Sequence, residues 1–294
     1  MSKAIRCLTD DATVMGMVID CTDVIAKAEE IHHPSAVVTA ALGRLLTAAS
    51  MMGIMLKNTE DQVTLRVDGG GPAGVLTAIS DGLGNVRGCV DNPLADLPIR
   101  ESVGKLDVGG VVGKEGFLYV LRDTGGKEPY TGCVPLVSGE IAEDVTYYYA
   151  SSEQTPTVCA LGVLVNPDLT VKAAGGILLQ LLPFCPDDVI DRVEKNIADL
   201  PAMTAMLSAG MTPEQIADRL FTEMPYNIVD GYAPEYRCVC SEEKVRRILL
   251  TMPDEDLRDL PDENGQVESV CHFCHAAYHF TREEIEQLIA SRNV

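Results

Sequence analysis

The stretch QVTLRVDGGGPAGVLTAISDGLGNVRGCV, residues 62–90, contains three short runs in which apolar and polar side chains alternate. Two glycine-rich segments, DGGGPA and DGLG, separate these runs. Alternation with a period of two is typical of a half-buried β-strand, and glycine clusters between such runs mark turns. The stretch therefore predicts a β-meander, in which consecutive strands pair in antiparallel fashion.

Further runs of β-forming residues follow this meander along the chain. They are FLYVL, GCVPLV, TYYYA, VCALGVLV and LTVKAA, at residues 117–121, 132–137, 146–150, 158–165 and 169–174. Many short strands joined by turns are typical of an α+β fold built mainly on antiparallel sheet. We therefore predict an α+β core domain with packed helices over residues 1–180.

One long apolar segment, residues 34–56, precedes the meander, and Arg44 is its only charged residue. Its length would allow a membrane span, but its composition of Ala, Thr, Ser and Gly, rather than Leu and Ile, favours a helix buried inside a protein. We expect Pro34 to occupy the first helical position, where a missing N–H has no cost.

Within the meander, the glycines Gly69, Gly71 and Gly74 match G-x-G-x-x-G, a pattern of dinucleotide-binding sites. Such a site needs a helix directly after the glycines, whereas VLTAI has strand character, so we interpret the pattern as a tight turn. The histidines lie at residues 32–33 or beside the C-terminal cysteines, and no serine, histidine and acid combination suggests a catalytic triad. We therefore expect a protein that is not an enzyme.

The composition restricts the partners of the chain. Lys and Arg total 23 against 44 Asp and Glu, which gives a formal net charge of −21. This charge repels nucleic-acid phosphates and anionic lipid head groups, so we expect neither nucleic acid nor a membrane as a partner. The first residues lack the zones of a secretory signal, so we expect a cytoplasmic protein with reduced cysteines.

Helical signals replace strand signals over residues 181–231. Val189 and Val193 begin a helical repeat, and Thr212 with Gln215 matches a capping box. We predict a linker of short helices with an excess of acidic residues. Its methionines are interpreted as core-facing residues or, less favoured, as adaptable surface for a bound protein. They are Met203, Met206, Met211 and Met224.

Two cysteine pairs dominate the C-terminal domain, which we place at residues 232–294: Cys238 and Cys240 form C-x-C, and Cys271 and Cys274 form C-x-x-C. Such pairs on short loops are the usual way to build a tetrahedral four-sulfur site, most often for zinc. A unit of fewer than about 70–80 residues also needs an additional source of stability, such as a bound metal ion. An iron–sulfur cluster remains an alternative, and C-x-x-C-H also matches a c-type haem motif.

Local signals surround these pairs. The dipeptide Asn264-Gly265 predicts a turn, which places the second pair on a knuckle between two short strands. Ser241 predicts the start of a helix directly after the first pair. Four basic residues are expected to offset the charge of the site: Arg237, Lys244, Arg246 and Arg247. We interpret the remaining cysteines as small buried apolar side chains. They are Cys7, Cys21, Cys89, Cys133, Cys159 and Cys185.

The segments EYRCVCSEEKV, residues 235–245, and VCHFCHAAYHF, residues 270–280, resemble the redox-switch domain of the heat shock protein 33 family. HHPSAVVTAALGRLLTA, RVDGGGPAGVLTAISDGLGNVRGCVDNP and VKAAGGILLQLLP resemble its core domain in the same order, so the resemblance covers nearly the whole chain. Cys89 and Cys133 depart from the family pattern, in which bulkier residues are expected.

The resemblance implies a redox-regulated, ATP-independent holdase chaperone of the bacterial cytosol that binds unfolding client proteins. It implies one Zn²⁺ per reduced chain, held by the four clustered cysteines. Oxidation would then pair Cys238 with Cys240 and Cys271 with Cys274, release zinc, unfold the metastable linker at 181–231 and yield an active homodimer. Two other hypotheses remain: a thiol–disulfide oxidoreductase that uses the C-x-x-C pair, and a constitutive structural zinc-ribbon protein.

Overall fold

The computed structural model of the chain describes residues 1–100, 104–126 and 128–292. The chain divides into two compact units, Met1–Arg237 and Cys238–Val294. Residues 232–237, which we assigned to the C-terminal domain, thus lie in the first unit.

The described residues of the first unit form two five-stranded sheets, in which the strand pairs are antiparallel. The strands of one sheet are β1 (Lys3–Thr9), β2 (Val14–Asp20), β8 (Thr157–Val165), β9 (Val171–Leu181) and β10 (Tyr226–Tyr232), in the order β10-β1-β2-β9-β8. Those of the other are β3 (Gln62–Asp68), β4 (Leu76–Asp81), β5 (Val86–Val90), β6 (Phe117–Asp123) and β7 (Tyr130–Pro135), in the order β5-β4-β3-β6-β7. The predicted α+β class and the meander at 62–90 are confirmed.

The glycine pattern after β3 is a turn that leads into strand β4, as predicted. It lies against the end of a short helix, α3 (Val108–Val112). A Cβ atom on Gly71 would lie 2.4 Å from the backbone carbonyl carbon of Val112, so only glycine allows this close approach.

The long apolar segment forms helix α2 (Ala36–Ile54), which follows α1 (Thr22–His32) and packs against strands of both sheets. By length and composition α2 could cross a membrane, but 94% of its most apolar window is buried within the structure. The predicted buried helix is confirmed. Pro34 is not its first residue, because Ser35 caps the helix by accepting a hydrogen bond from the Val38 N–H.

Residues 146–150, TYYYA, form part of helix α4 (Ala142–Ser151), so the predicted strand is wrong. The Asp144 carboxylate accepts hydrogen bonds from several backbone N–H groups of the preceding turn, which fixes the start of the helix. Tyr148 and Tyr149 are then buried on the face of α4 that packs on the sheets. This packing overrides the β-propensity of threonine and tyrosine.

Residues 181–231 contain three helices and also strand β10, which the helical prediction missed. The helices are α5 (Asp187–Asp199), α6 (Met203–Ser208) and α7 (Pro213–Leu220). Met203, Met206 and Met224 are buried in a second core cluster with residues of β1, β2 and β9, which confirms the core-facing interpretation for these three.

The second unit consists of α8 (Glu242–Leu249), α9 (Asp254–Asp259), the hairpin of β11 (Gln266–Val270) and β12 (Ala277–Thr281), and α10 (Arg282–Ser291). Thr281 caps α10 with Glu284 in the predicted capping box. The unit has its own small core, which consists of Leu249, Leu257, Val267, Phe280, Ile285, Leu288 and Ile289.

Candidate metal centre

The first cysteine pair lies directly before helix α8. Ser241 is the N-cap of this helix, as predicted, and its hydroxyl accepts a hydrogen bond from the Lys244 N–H. The positive end of the helix dipole therefore lies next to Cys240 in the chain, where it favours a negatively charged sulfur.

The second pair occupies the predicted knuckle between β11 and β12. The Cys271 N–H donates to the Ala276 carbonyl oxygen at 3.0 Å, and the His275 N–H donates to the Cys271 carbonyl oxygen at 2.8 Å. His275 has a positive φ of 56°, which closes this tight turn. The turn presents both sulfurs of the pair on one side of the knuckle.

The four sulfurs converge, and all lie within 4.8 Å of one another. The Sγ atoms of Cys238 and Cys271 are 3.7 Å apart, and those of Cys240 and Cys274 are 3.3 Å apart. Metal–sulfur bonds of about 2.3 Å in a tetrahedron put the sulfurs about 3.8 Å apart, whereas a disulfide bond is about 2.05 Å long. The arrangement thus fits four thiolates around one metal ion.

The hydroxyl group of Tyr278 on β12 donates a hydrogen bond to the Cys240 sulfur at 3.1 Å. Tyr278 was not predicted as part of the site, although the alternation in AYHF places it on the same side of the strand as the buried Phe280. Spacing reveals which face of the strand Tyr278 occupies but not which cysteine it reaches.

The surroundings shift the pKa values of the thiols in different directions. Burial raises the pKa of Cys240, but hydrogen bonds, first from Tyr278 and then from Cys274, more than offset this and lower the pKa to about 7. Burial is the main cause of the raised pKa values of Cys238 and Cys274. The hydrogen bond to Cys240 raises the pKa of Tyr278 to about 12, so its hydroxyl stays protonated.

The basic residues that we expected to offset the charge of the site differ in their contacts. The Lys244 Nζ donates to the carbonyl oxygen of Val239, between the first two cysteines, at 2.7 Å. Arg246 forms ion pairs with Glu242 and Glu284 instead, and its guanidinium lies over the Phe280 ring. Arg247 forms an ion pair with Glu243. These two arginines thus pair with acidic side chains of the unit rather than with the sulfurs.

The other six cysteines differ in exposure. Cys7, Cys21 and Cys159 are buried, which confirms their interpretation as small apolar side chains. Cys89 and Cys185 are partly buried. Cys133 is exposed on β7, so the buried interpretation is wrong for this residue. The strand alternation places Cys133 on the side of β7 opposite the buried Val134.

Comparisons with known proteins agree over the full length. The family model described as Hsp33 protein matches residues 2–281. The 33 kDa chaperonin of Clostridium botulinum (strain 657 / Type Ba4) is 42% identical over 289 residues, which are 98% of this chain and 97% of that protein. The 33 kDa chaperonin of Agathobacter rectalis is 43% identical over 284 residues, or 97% and 98% of the two chains.

The crystal structure of the 33 kDa chaperonin (heat shock protein 33 homolog) from Thermotoga maritima has the same fold, with a TM-score of 0.90 and 35% sequence identity. The match covers 99% of this chain and 98% of that chain. Since the family match runs through both units and includes the four clustered cysteines, the chain belongs to the Hsp33 family of chaperones.

Proposed function

We propose that the protein is a redox-regulated, ATP-independent holdase that binds unfolding proteins and prevents their aggregation. In the reduced form, one Zn²⁺ per chain is held by Cys238, Cys240, Cys271 and Cys274. Oxidation of these residues releases the metal and activates the chaperone. The convergence of four sulfurs within 4.8 Å, in a chain of the Hsp33 family, is the observation that carries the proposal.

Zinc is the metal that this donor set favours. Four thiolates in tetrahedral positions suit Zn²⁺, which needs no further ligand. In an iron–sulfur cluster the four ligand sulfurs are divided among two or four iron atoms, so sulfurs on different irons lie farther apart than sulfurs that share one ion. When bound, zinc keeps the sulfurs deprotonated and ties the segment before α8 to the β11–β12 knuckle.

Oxidation proceeds on the sulfurs of the chain. A thiolate attacks hydrogen peroxide, so that an S–O bond forms while the O–O bond breaks and hydroxide leaves. The second thiolate of the pair displaces hydroxide from the resulting sulfenic acid and forms the disulfide. Each disulfide thus uses one peroxide, which is reduced to water. Following the precedent of the family, Cys238 pairs with Cys240 and Cys271 with Cys274.

Loss of the metal removes the main source of order in the second unit. Metal binding supplies roughly 10–16 kcal/mol in structural zinc peptides, whereas a core of this size supplies only about 3–5 kcal/mol. The buried side chains of the unit are few and lie on short elements, such as the six-residue helix α9. We therefore expect the unit to unfold when zinc leaves.

Residues 181–231 are the second part of the proposed switch. Their helices are short, so their order depends on packing against the sheet rather than on intrinsic helix propensity. Strand β10 is an edge strand that pairs with β1 alone. Residues 233–237 connect it to Cys238, so we expect disorder that starts at the metal site to reach β10 once the hydrogen bonds between these residues and β5 break.

Separation of this segment from the sheet exposes apolar side chains on both surfaces, among them Met203, Met206, Ile177 and Leu179. This surface is adaptable because of its thioether groups, and it suits unfolding proteins as clients. The net charge of −21 keeps the activated protein soluble and disfavours nucleic acid and anionic membranes as partners. We further propose a cytoplasmic location and a homodimer as the oxidised form.

The test is to measure zinc, free thiols and suppression of aggregation in the same samples before and after mild peroxide treatment at raised temperature. We expect one zinc per reduced chain. As activity appears, the zinc should be released and four free thiols should be lost to two disulfides. Retention of full zinc content by the active protein would contradict the proposal. Turnover of a disulfide substrate by trace amounts of protein would instead indicate the oxidoreductase.

A further inference from the structure

Tyr278 distinguishes Cys240 from the other members of the cluster. The Sγ atom of Cys238 lies 3.7 Å from that of Cys271, and the Sγ atom of Cys274 lies 3.3 Å from that of Cys240. The Cys240 sulfur accepts a hydrogen bond from the phenolic hydroxyl of Tyr278 at 3.1 Å. This donor belongs to a side chain, so a single substitution can remove it without a change to the backbone.

The hairpin fixes the position of this hydroxyl. Tyr278 pairs with Ser269 in the register of β11 and β12, and its ring is partly buried against the core of the second unit. Two residues along, the fully buried Phe280 anchors the strand, and the Arg246 guanidinium covers the Phe280 ring at 5.1 Å. The hydroxyl of Tyr278 therefore lies next to the Cys240 sulfur because strand β12 fixes the position of the ring.

We propose that Tyr278 is a positioning residue that makes Cys240 the slowest of the four zinc-bound sulfurs to attack peroxide. This inference rests on the proposed function, since it concerns the reactivity of the same thiolates. A hydrogen bond to a thiolate stabilises its negative charge and lowers its basicity, and nucleophilicity falls with basicity. The hydrogen bonds around a metal site tune its ligands in the same way.

The sequence of bond changes follows from this difference. Within the first pair, the Cys238 thiolate attacks hydrogen peroxide and becomes a sulfenic acid, while hydroxide leaves and takes up a proton to form water. Cys240 then acts as the second thiolate: its sulfur displaces hydroxide from the Cys238 sulfenic acid, and the disulfide forms. Tyr278 takes part in these steps only as a hydrogen-bond donor to the Cys240 sulfur.

The test uses the zinc-loaded full chain, a limiting amount of hydrogen peroxide and dimedone, which traps sulfenic acids. Mass spectrometry with fragment spectra then gives the share of adduct on each cysteine. We expect little adduct on Cys240 in the natural protein. In Tyr278→Phe, we expect the rate of adduct formation at Cys240 to rise about three- to eightfold, from the strength of a charge-assisted hydrogen bond and its effect on nucleophilicity.

Tyr147→Phe is the matched control, since Tyr147 is exposed on α4 in the first unit. It should leave all adduct rates unchanged. The Co²⁺-substituted proteins give a second measurement: the sulfur-to-metal charge-transfer band should shift in Tyr278→Phe but not in Tyr147→Phe, a change that a merely structural role of the ring would not produce.

An unchanged Cys240 adduct rate in a Tyr278→Phe protein that retains its zinc would overturn the inference and leave the proposed function intact. If Tyr278→Phe does not retain zinc, the natural protein alone decides, because Cys240 must be the slowest of its four clustered cysteines to form the adduct. A natural protein that binds no zinc would refute the proposed function, and the inference with it.

Discussion

The hydroxyl of Tyr236, which lies two residues before the first clustered cysteine, donates a hydrogen bond to the carbonyl oxygen of Gly88 at 2.9 Å. The Nε2 atom of His32 lies 3.2 Å from the same hydroxyl. The backbone adds two bonds, from the Val86 N–H to the Glu235 carbonyl oxygen at 2.9 Å and from the Arg237 N–H to Val86 at 2.8 Å. We call residues 233–237 the strap, because they fasten the end of the first unit along β5.

The strap provides the first prediction. Tyr236→Phe removes the hydroxyl and leaves the Gly88 carbonyl oxygen without this donor, so we expect the first unit to lose about 1–2 kcal/mol of stability. Chemical denaturation of the zinc-loaded chain measures this loss, and Tyr147→Phe should change it by less than about 0.5 kcal/mol. Equal stabilities of the two variants would show that the Tyr236 hydroxyl contributes nothing to the stability of the first unit.

The second prediction concerns the clustered cysteines. Replacement of both Cys271 and Cys274 by serine removes two of four thiolates, so we expect the chain to lose its zinc and its response to peroxide. Cys133→Ser is the control, since Cys133 is exposed and lies outside the cluster. Metal analysis and an aggregation assay with and without peroxide distinguish the two. A double variant that still responds to peroxide like the natural chain would refute the proposed switch.

The third prediction follows from the buried thiols. Burial raises the pKa of Cys159 to about 12, and burial together with nearby acids raises that of Cys7 to about 12. Because the thiolate is the reactive form, both should resist alkylation in the folded, zinc-loaded protein, whereas the exposed Cys133 should react faster than either of them. Timed alkylation with iodoacetamide and peptide mapping provides the check. Labelling of Cys159 as fast as Cys133 would be inconsistent with the buried position.

The fourth prediction is a pH dependence. Burial alone would raise the pKa of Glu140, but ion pairs with Arg44 and Arg100 outweigh it and lower the pKa below its ordinary value. A carboxylate with a lowered pKa in the folded state stabilises the protein above its unfolded pKa of about 4.3, and this contribution is lost as the pH falls through the folded value.

Glu140→Gln should therefore cost about 1–3 kcal/mol of unfolding free energy at pH 7, and this cost should shrink as the pH is lowered below about 4.3. The exposed neighbour Glu143, substituted in the same way, is the control. Denaturation curves at several pH values provide the comparison. A cost for Glu140→Gln that stays constant from pH 7 to pH 3 would argue against the ion pairs as its cause.

The antiparallel sheets and the cysteine cluster were predictable because their signals are local or rest on residue types with narrow uses. Alternation and glycine turns identify the β3–β5 meander, and two short-spaced cysteine pairs predict a shared site without any knowledge of the hairpin between them.

The errors arose where long-range packing decides the structure. TYYYA has β-propensity but becomes part of α4, because Asp144 starts the helix and the sheets bury Tyr148 and Tyr149. Strand β10 is a mostly exposed edge strand whose identity depends on pairing with β1, far away in the sequence. The contact between Tyr278 and Cys240 likewise depends on how the chain folds between them.

The most direct test of the account is hydrogen exchange of the full chain before and after zinc is withdrawn with a chelator under reducing conditions, with metal analysis of the same samples. We predict that the amides of β11 and β12 lose their protection when zinc is removed, while those of β2 and β9 keep theirs. Full protection of the hairpin in a chain that demonstrably holds no metal would contradict the claim that the metal orders the second unit.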